Sequence, residues 1–227
     1  MEEKVIDNIP FRLDTTAFLK RLRMEPSGDH AASALALAQS ARAIARPKAM
    51  YRQANIDERG EDFIVIDGIT FTSRVLRVNL EPAYRVFPYL ATCGREIMEW
   101  ADSIDDPLDS FYADELMVMA LGSATTAVRK AITGDYSPGN TSSMNPGSLE
   151  DWPLQEQVRL MELLGDPYGA IGVELTASCL MIPVKSVSGI SFPTDTGWEN
   201  CQLCPRQDCP GRRAPYEPGL KEERYAE

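Results

Sequence analysis

IGVELTASCLMIPVKSVSGISF, residues 171–192, is the stretch from which the rest of the chain is read. Apolar and polar residues alternate along it, β-branched residues recur, and Pro183 and Gly189 punctuate it. This pattern predicts three short strands, over 173–178, 180–184 and 186–192, with turns at Pro183 and Gly189. Just upstream, 153–164 carries helical periodicity. Before that, the segment YSPGNTSSMNPGSLED (136–151) is too polar for a core and is expected to be a loop.

Further back, 109–132 is predicted as a long helix. Leu116, Met117, Met119, Ala120, Ala124, Ala127 and Val128 form its broad apolar face, and Gly134 is its expected stop. Asp105, Asp106 and Pro107 separate it from a shorter helix over 95–103. The segments 50–56, 63–66, 69–80 and 84–93 read as strands, with Asp67-Gly68 as a hairpin turn. In that reading Tyr51, Arg52, Arg74 and Arg77 lie on the solvent side of a sheet, and Arg74 and Arg77 point to opposite faces of one strand. The N-terminal part holds a short helix over 15–20, capped by Asp14 or Thr15, and an alanine-rich helix over 29–46 stopped by Pro47. Strands and helices come in blocks rather than in strict alternation. The expected fold is therefore α+β, with a twisted, mainly antiparallel sheet flanked by helices. One domain over 1–227 is expected: a helical part (1–48), a sheet-and-helix part (49–193) and a cysteine-containing tail (194–227), with 217–227 frayed.

Composition narrows the function. The chain has 227 residues and a formal net charge of −11, and it has no basic stripe beyond short pairs such as Arg212-Arg213, so a nucleic-acid partner is not expected. The acidic N-terminus lacks an apolar run, and no stretch reaches the ~18 apolar residues of a spanning helix. A cytoplasmic protein without a membrane partner is expected. There is one histidine, His30, which reads as a surface or capping residue, so a triad or a three-histidine zinc site has little to build on. The methionines near 116–120 read as core, and Asp114 and Glu115 as a solvated face. Three of five cysteines fall in Cys201-x2-Cys204-x4-Cys209, followed by Gly211-Arg212-Arg213. That spacing suits an iron–sulfur cluster, a structural zinc or a set of free thiols, with Cys93, Cys179, Asp208 or an outside group as fourth ligand.

The order Ser137-Pro138-Gly139-Asn140, then Leu163-Leu164, then 171–192 resembles the activation (reactivation) domain of vitamin B12-dependent methionine synthase. That family's pattern runs R-P-A-P-G-Y, then L-L, then I-G-x-x-L-T-E-S-x-A-M-x-P-x-A-S-V-S-G-x-x-F. Matching positions are Ser137, Pro138, Gly139, Ile171, Gly172, Leu175, Thr176, Ser178, Met181, Pro183, Ser186, Val187, Ser188, Gly189 and Phe192. The correspondence is close over the last third of the chain and elsewhere holds by element order. The resemblance implies an accessory protein of the methyltransferase class that docks over cobalamin carried by a corrinoid protein or a methionine synthase core, and supports its reductive methylation. It further implies S-adenosylmethionine at Ser137, Pro138, Gly139 and Asn140, and corrin-facing roles for Met181, Ser186, Ser188, Gly189 and Trp198. The sequence departs from the pattern where Asp135 or Tyr136 stands for the arginine, Asn140 for the tyrosine and Ala177 for the glutamate. A non-catalytic docking module stabilised by metal and a small iron–sulfur redox protein are the alternative readings.

Overall fold

A computed structural model describes residues 3–209 and 211–225. Its organising strand is β6 (Arg85–Thr92), seven of whose eight residues are buried. One edge of β6 pairs antiparallel with β10 (Ser186–Pro193), from Ser186 opposite Thr92 to Ser191 opposite Phe87. β10 in turn carries the edge strand β7 (Thr141–Met144), with Ile190 opposite Met144. Along its other edge β6 first meets β3 (Ala54–Arg59) and then β2 (Lys48–Tyr51), which brings β1 (Lys4–Ile6) with it. β4 (Phe63–Ile66) and β5 (Ile69–Thr72) extend the sheet beyond β3. A small separate ribbon joins β8 (Glu174–Leu175) to β9 (Met181–Ile182). The fold is α+β and its named strand pairs are all antiparallel.

Pro88 sits inside this central strand, an unusual place because proline cannot donate to a ladder. Its carbonyl accepts from the Arg52 N–H, so its missing N–H faces the gap between the β2 pairing at Tyr89 and the β3 pairing at Val86. The donor is lost where β6 changes partner. The Asp67-Gly68 turn is as expected: both residues have positive φ (44° and 79°), as a type I′ hairpin requires.

Alternation along the strands divides the core. Ala49, Tyr51, Phe87, Tyr89 and Ala91 face helix α5 (Pro107–Tyr136), against its Ala124, Val128 and Ile132. Met50, Val86, Leu90, Ile190 and Phe192 face the other way. They pack against helix α6 (Gln157–Leu164), Trp152, Trp198 and Tyr225 of the terminal helix α8 (Leu220–Tyr225). A third cluster lies among the helices. α1 (Thr15–Arg21), α2 (Ala31–Ile44) and α4 (Arg95–Asp102) gather on α5 through Ala34, Ala38, Ala41, Ala113 and Ala120, all fully buried. Alanines let these helix axes approach closely.

Several expectations need correction. Residues 74–80 do not continue a strand. Ser73 caps a helix, α3 (Arg74–Asn79), by accepting from the Leu76 N–H at 2.9 Å, and Asp151 accepts from both Ser73 and the Val75 N–H. Arg74 pairs with Asp62, and Arg77 with Glu81 one turn on. Gly134 does not end α5. The helix runs to Tyr136, and Ser137 closes it in the left-handed conformation, donating to the Thr133 carbonyl. The stretch 136–151 contains β7 and leads to buried Trp152. Tyr51 is buried, and Arg52 is half-buried on Asp67 and the Leu163 carbonyl. A short helix, α7 (Pro167–Ile171), was not anticipated. The tail is packed rather than frayed: the Tyr225 hydroxyl donates to Asn79 at 2.9 Å, and its carbonyl accepts from Arg74. Residues 226–227, which also fell in the predicted frayed end, lie outside the described residues.

The close α2–α5 packing has a direct test. Ala38→Leu inserts a branched side chain where no space exists, and should cost about 1–3 kcal/mol in urea denaturation. The same change at exposed Ala32 should be nearly neutral.

Candidate functional site

A cleft of about 770 Å³ that involves sequence-predicted residues lies between α5 and the C-terminal segment. Val118, Leu121, Gly122 and Thr125 form the α5 wall, because residues three and four apart share a helix face. Val187 of β10 and Asn145, which follows β7, contribute from the sheet edge. Asn200, Cys201, Cys204, Cys209, Arg206 and Arg213 come from the C-terminal segment opposite.

That segment is held by its own hydrogen bonds. A 3₁₀ turn (Asn200–Leu203) starts at a capping box between Glu199 and Gln202. The Arg212 guanidinium donates to the carbonyls of Cys201 and Cys204, both at 3.1 Å, and to those of Ala214 and Arg206. Arg213 pairs with Glu199 at 3.0 Å, and its backbone N–H donates to Cys201 Sγ at 3.4 Å. Asn145 ties this segment to the sheet. Its amide donates to the Tyr89 hydroxyl and the Ser188 carbonyl, and its Oδ1 accepts from Asn200 at 3.3 Å. Asn145 and Asn200 were not singled out from the sequence. An asparagine before Pro146-Gly147 reads as turn chemistry, and nothing in its spacing announces a bridge between strand and tail.

The predicted cofactor-binding residues do not form one cluster. Ser137, Pro138, Gly139 and Asn140 lie beside the Pro193 end of β10, where the Asn140 carbonyl accepts from Thr194. Ser137 and Gly139 both have positive φ, and Gly139 faces open space. Ser186 begins β10, roughly 23 Å away along the strand at ~3.3 Å per residue. Its hydroxyl is satisfied by Pro183 O and Thr92. Ser188 is buried on Gln157. Met181 is half-buried in β9 and packs on the core. Trp198 is 2 % exposed and packs near Phe192, so it belongs to the core and not to a surface that a corrin could meet. His30 is exposed at the start of α2, as expected. Asp114 and Glu115 carry ion pairs with Lys185 and Arg21.

The metal expectation finds no support in this geometry. Among the described residues no three His, Cys, Asp or Glu side chains are gathered so as to hold an ion. Cys201, Cys204 and Cys209 share a cleft wall, Cys93 is buried elsewhere, and Cys179 lies outside the cleft. Turns at Pro205 and Pro210 are the sequence's means of bringing Cys209 in as a third ligand, and Pro210 lies outside the described residues. The thiols differ in acidity. Burial pushes the Cys93 thiol up to about 12. Burial also raises Cys201, but the N–H groups of Arg213 and Ala214 and the Arg213 charge outweigh it and hold the thiol below its usual range.

Next to the 137–140 loop, Asp135 accepts from Lys4 and from the Tyr51 hydroxyl, the latter at 2.7 Å. Tyr136 stacks on Phe87 with ring centroids 4.9 Å apart. The Lys4 bond first, and the Tyr51 bond next, hold the Asp135 carboxyl below the usual carboxylate range. Burial first, then the Asp135 bond, pushes the Tyr51 hydroxyl well above its ordinary value.

No family model matches the chain, and no curated protein matches it. Solved structures do. One is the crystal structure of the MetH reactivation domain bound to AdoHcy, which superposes with a TM-score of 0.61 over 89% of this chain and 82% of that chain, at 14% sequence identity. The chain has the MetH reactivation-domain fold. The antiparallel sheet with flanking helices expected from 171–192 is thereby borne out. Among the described residues no helix is long and apolar enough to cross a membrane.

Two outcomes follow from this geometry. A Cβ on Gly189 would lie 2.5 Å from both the Met144 carbonyl and the Asn145 amide, so Gly189→Ala should destabilise by about 1–3 kcal/mol in urea denaturation, as overpacking does. An unchanged midpoint would remove the close-packing role. Asp135, with its folded pKa depressed, contributes stability above the unfolded carboxyl value of about 3.9 and loses it as pH falls through the folded value. Asp135→Asn should therefore flatten the acid limb of Tm against pH, and leave less difference from the parent at the lowest pH.

Proposed function

We propose that this chain is an accessory of a cobalamin-carrying protein, docking over the corrin of a corrinoid protein or methionine synthase core and supporting its reductive methylation. The observation that carries this reading is the shared fold, 89% of the chain on the MetH reactivation domain, together with the run of matched positions in 171–192. Neither alone specifies the activity; the two were reached independently.

The proposed docking surface lies around the β9–β10 connection. Leu180 and Val184 are more than half exposed there, and the Lys185–Asp114 pair at 2.8 Å ties that connection to α5, where Phe111 is also exposed. Apolar side chains with one fixed ion pair suit a cofactor face that is itself mostly hydrocarbon. A cytoplasmic setting is part of the proposal.

The solved relative holds AdoHcy. The side chains here do not fit a carboxylate clamp for such a ligand: Asp135 carries the wrong charge, and its carboxylate is taken by Lys4 and Tyr51. Tyr136 is committed to Phe87. What remains at 137–140 is exposed backbone, opened by Gly139. A lost charge-assisted hydrogen bond costs roughly 1.5–3 kcal/mol, so S-adenosylmethionine should bind at least about tenfold more weakly per missing contact than it would with the clamp. Calorimetric titration measures this, and a submicromolar Kd would show that other residues replace the clamp. For the docking itself, the purified chain is mixed with cobalamin-loaded and cobalamin-free corrinoid modules. Cobalamin-dependent co-elution and a shift in the corrin absorption are expected. No association in any cobalt oxidation state would overturn the reading.

A further inference from the structure

The three thiols on the cleft wall are not used by the proposed docking, and two of them are arranged for chemistry with each other. Cys201 lies in the 3₁₀ turn, and the Cys204 N–H closes that turn on the Cys201 carbonyl at 3.3 Å. An i to i+3 turn keeps the two Cα atoms within about 7 Å, overlapping the ~4.4–6.8 Å that a disulfide spans. In a 3₁₀ turn the side chains at i and i+3 also eclipse one another. Both residues line the 770 Å³ cleft and are partly exposed, so a reactant can reach them. The Arg213 N–H lies on Cys201 Sγ, where it stabilises a thiolate at that sulfur. The same turn carries an independent feature. Asn200, 7 % exposed and on the cleft wall, buries its Oδ1 without a hydrogen-bond partner. A buried acceptor left unpaired costs free energy until a donor meets it, and a backbone amide of a bound peptide is such a donor.

We infer that Cys201 and Cys204 form a dithiol–disulfide exchange site in the α5 cleft, with Cys201 as nucleophile, Cys204 as resolving thiol and a peptide disulfide as substrate. The Cys201 thiolate attacks one sulfur of the substrate disulfide. That S–S bond breaks, a mixed S–S bond forms at Cys201, and the released peptide thiolate takes a proton from water. Cys204, having given its proton to solvent, then attacks Cys201 Sγ and expels the second peptide thiolate, which is protonated in turn. Two protein thiols are oxidised to one disulfide, and one substrate disulfide is reduced to two thiols. The Arg213 N–H that lies on Cys201 Sγ favours the thiolate, the form that attacks a disulfide. Cys93, buried with its thiol raised to about 12, takes no part.

The test uses the full chain, reduced and then freed of reductant and of any loosely held metal. It is exposed to oxidised glutathione, a tripeptide disulfide, and followed by intact mass and peptide mapping. The parent should form a Cys201–Cys204 linkage and release reduced glutathione. Cys204→Ser should stop at one glutathionyl group on Cys201. Cys201→Ser should lose the linkage and consume oxidised glutathione at least about tenfold more slowly, since the activated thiolate is gone. Cys209→Ser should behave as the parent. Thermal unfolding of each variant separates loss of reaction from loss of fold. Hydroxyethyl disulfide, which has no amide N–H for Asn200, should react more slowly than oxidised glutathione, and equal rates would overturn the peptide assignment. The exchange site itself is overturned if Cys204 or Cys209 is modified with Cys201 left reduced. It is also overturned if Cys204→Ser gives the parent's products, or if the chain retains near-stoichiometric zinc or iron on these sulfurs and does not exchange.

Discussion

β6 has no free side. Its two edges are paired, and its faces are covered by α5 on one side and by α6, Trp152 and the C-terminal elements on the other. A strand buried on both faces must read as a nearly unbroken apolar run, and VFPYLA within it does. Its neighbours are then constrained in turn. β10 and β2 cannot slip by one residue against β6 without exchanging what faces α5 for what faces α6, so register is fixed from the centre outward. The small residues of α2, α4 and α5 follow from the same demand, because α5 must lie close on the sheet and still receive other helices on its far side.

Legibility in the sequence follows this hierarchy. The hairpin at Asp67-Gly68, the third strand of 171–192 and the long α5 were readable, because local pattern and tertiary environment ask for the same thing there; the first two strands shrink to Glu174–Leu175 and Met181–Ile182, and Gly189, expected as a turn, lies inside β10 opposite Tyr89. Residues 74–79, RVLRVN, were misread for a physical reason: alternating valine and arginine satisfies the strand template, and the helix is decided by Ser73 and by Asp151, 78 positions from it. β7 was missed because TSSM is polar; it is an edge strand, recruited by β10 rather than by its own propensity. Gly134 misled because glycine usually marks a helix end. In α5 a Cβ there would meet nothing, and the left-handed residue that closes the helix is Ser137.

The tail shows where order along the chain fails as a guide to a site. Trp198 follows the corrin-facing segment of the family pattern in sequence, but it packs beside Phe192 in the core, and burying a large aromatic outweighs displaying it. Once Trp198 is anchored there and Tyr225 closes on Asn79, the residues between them must pass over the β7–β10 edge toward α5. The cysteines are carried to the cleft by that path. Arg212 then fixes the turn through backbone carbonyls rather than through sulfur, leaving Arg213 to act on Cys201.

A fold shared at 14% identity separates two kinds of information. The sheet, α5 and the register around β6 are over-determined by burial, so many sequences satisfy them. A charged ligand clamp, by contrast, depends on single groups at single positions, and a carboxylate such as that of Asp135 has the opposite sign to an arginine. Asp135 has a structural use, since it gathers Lys4 of β1 and Tyr51 of β2 at the end of α5. That locks the N-terminal strand to the sheet at the place where the family pattern has an arginine. The loop that follows has Ser137 and Gly139 at positive φ, and the Asp135 side chain before it serves the fold.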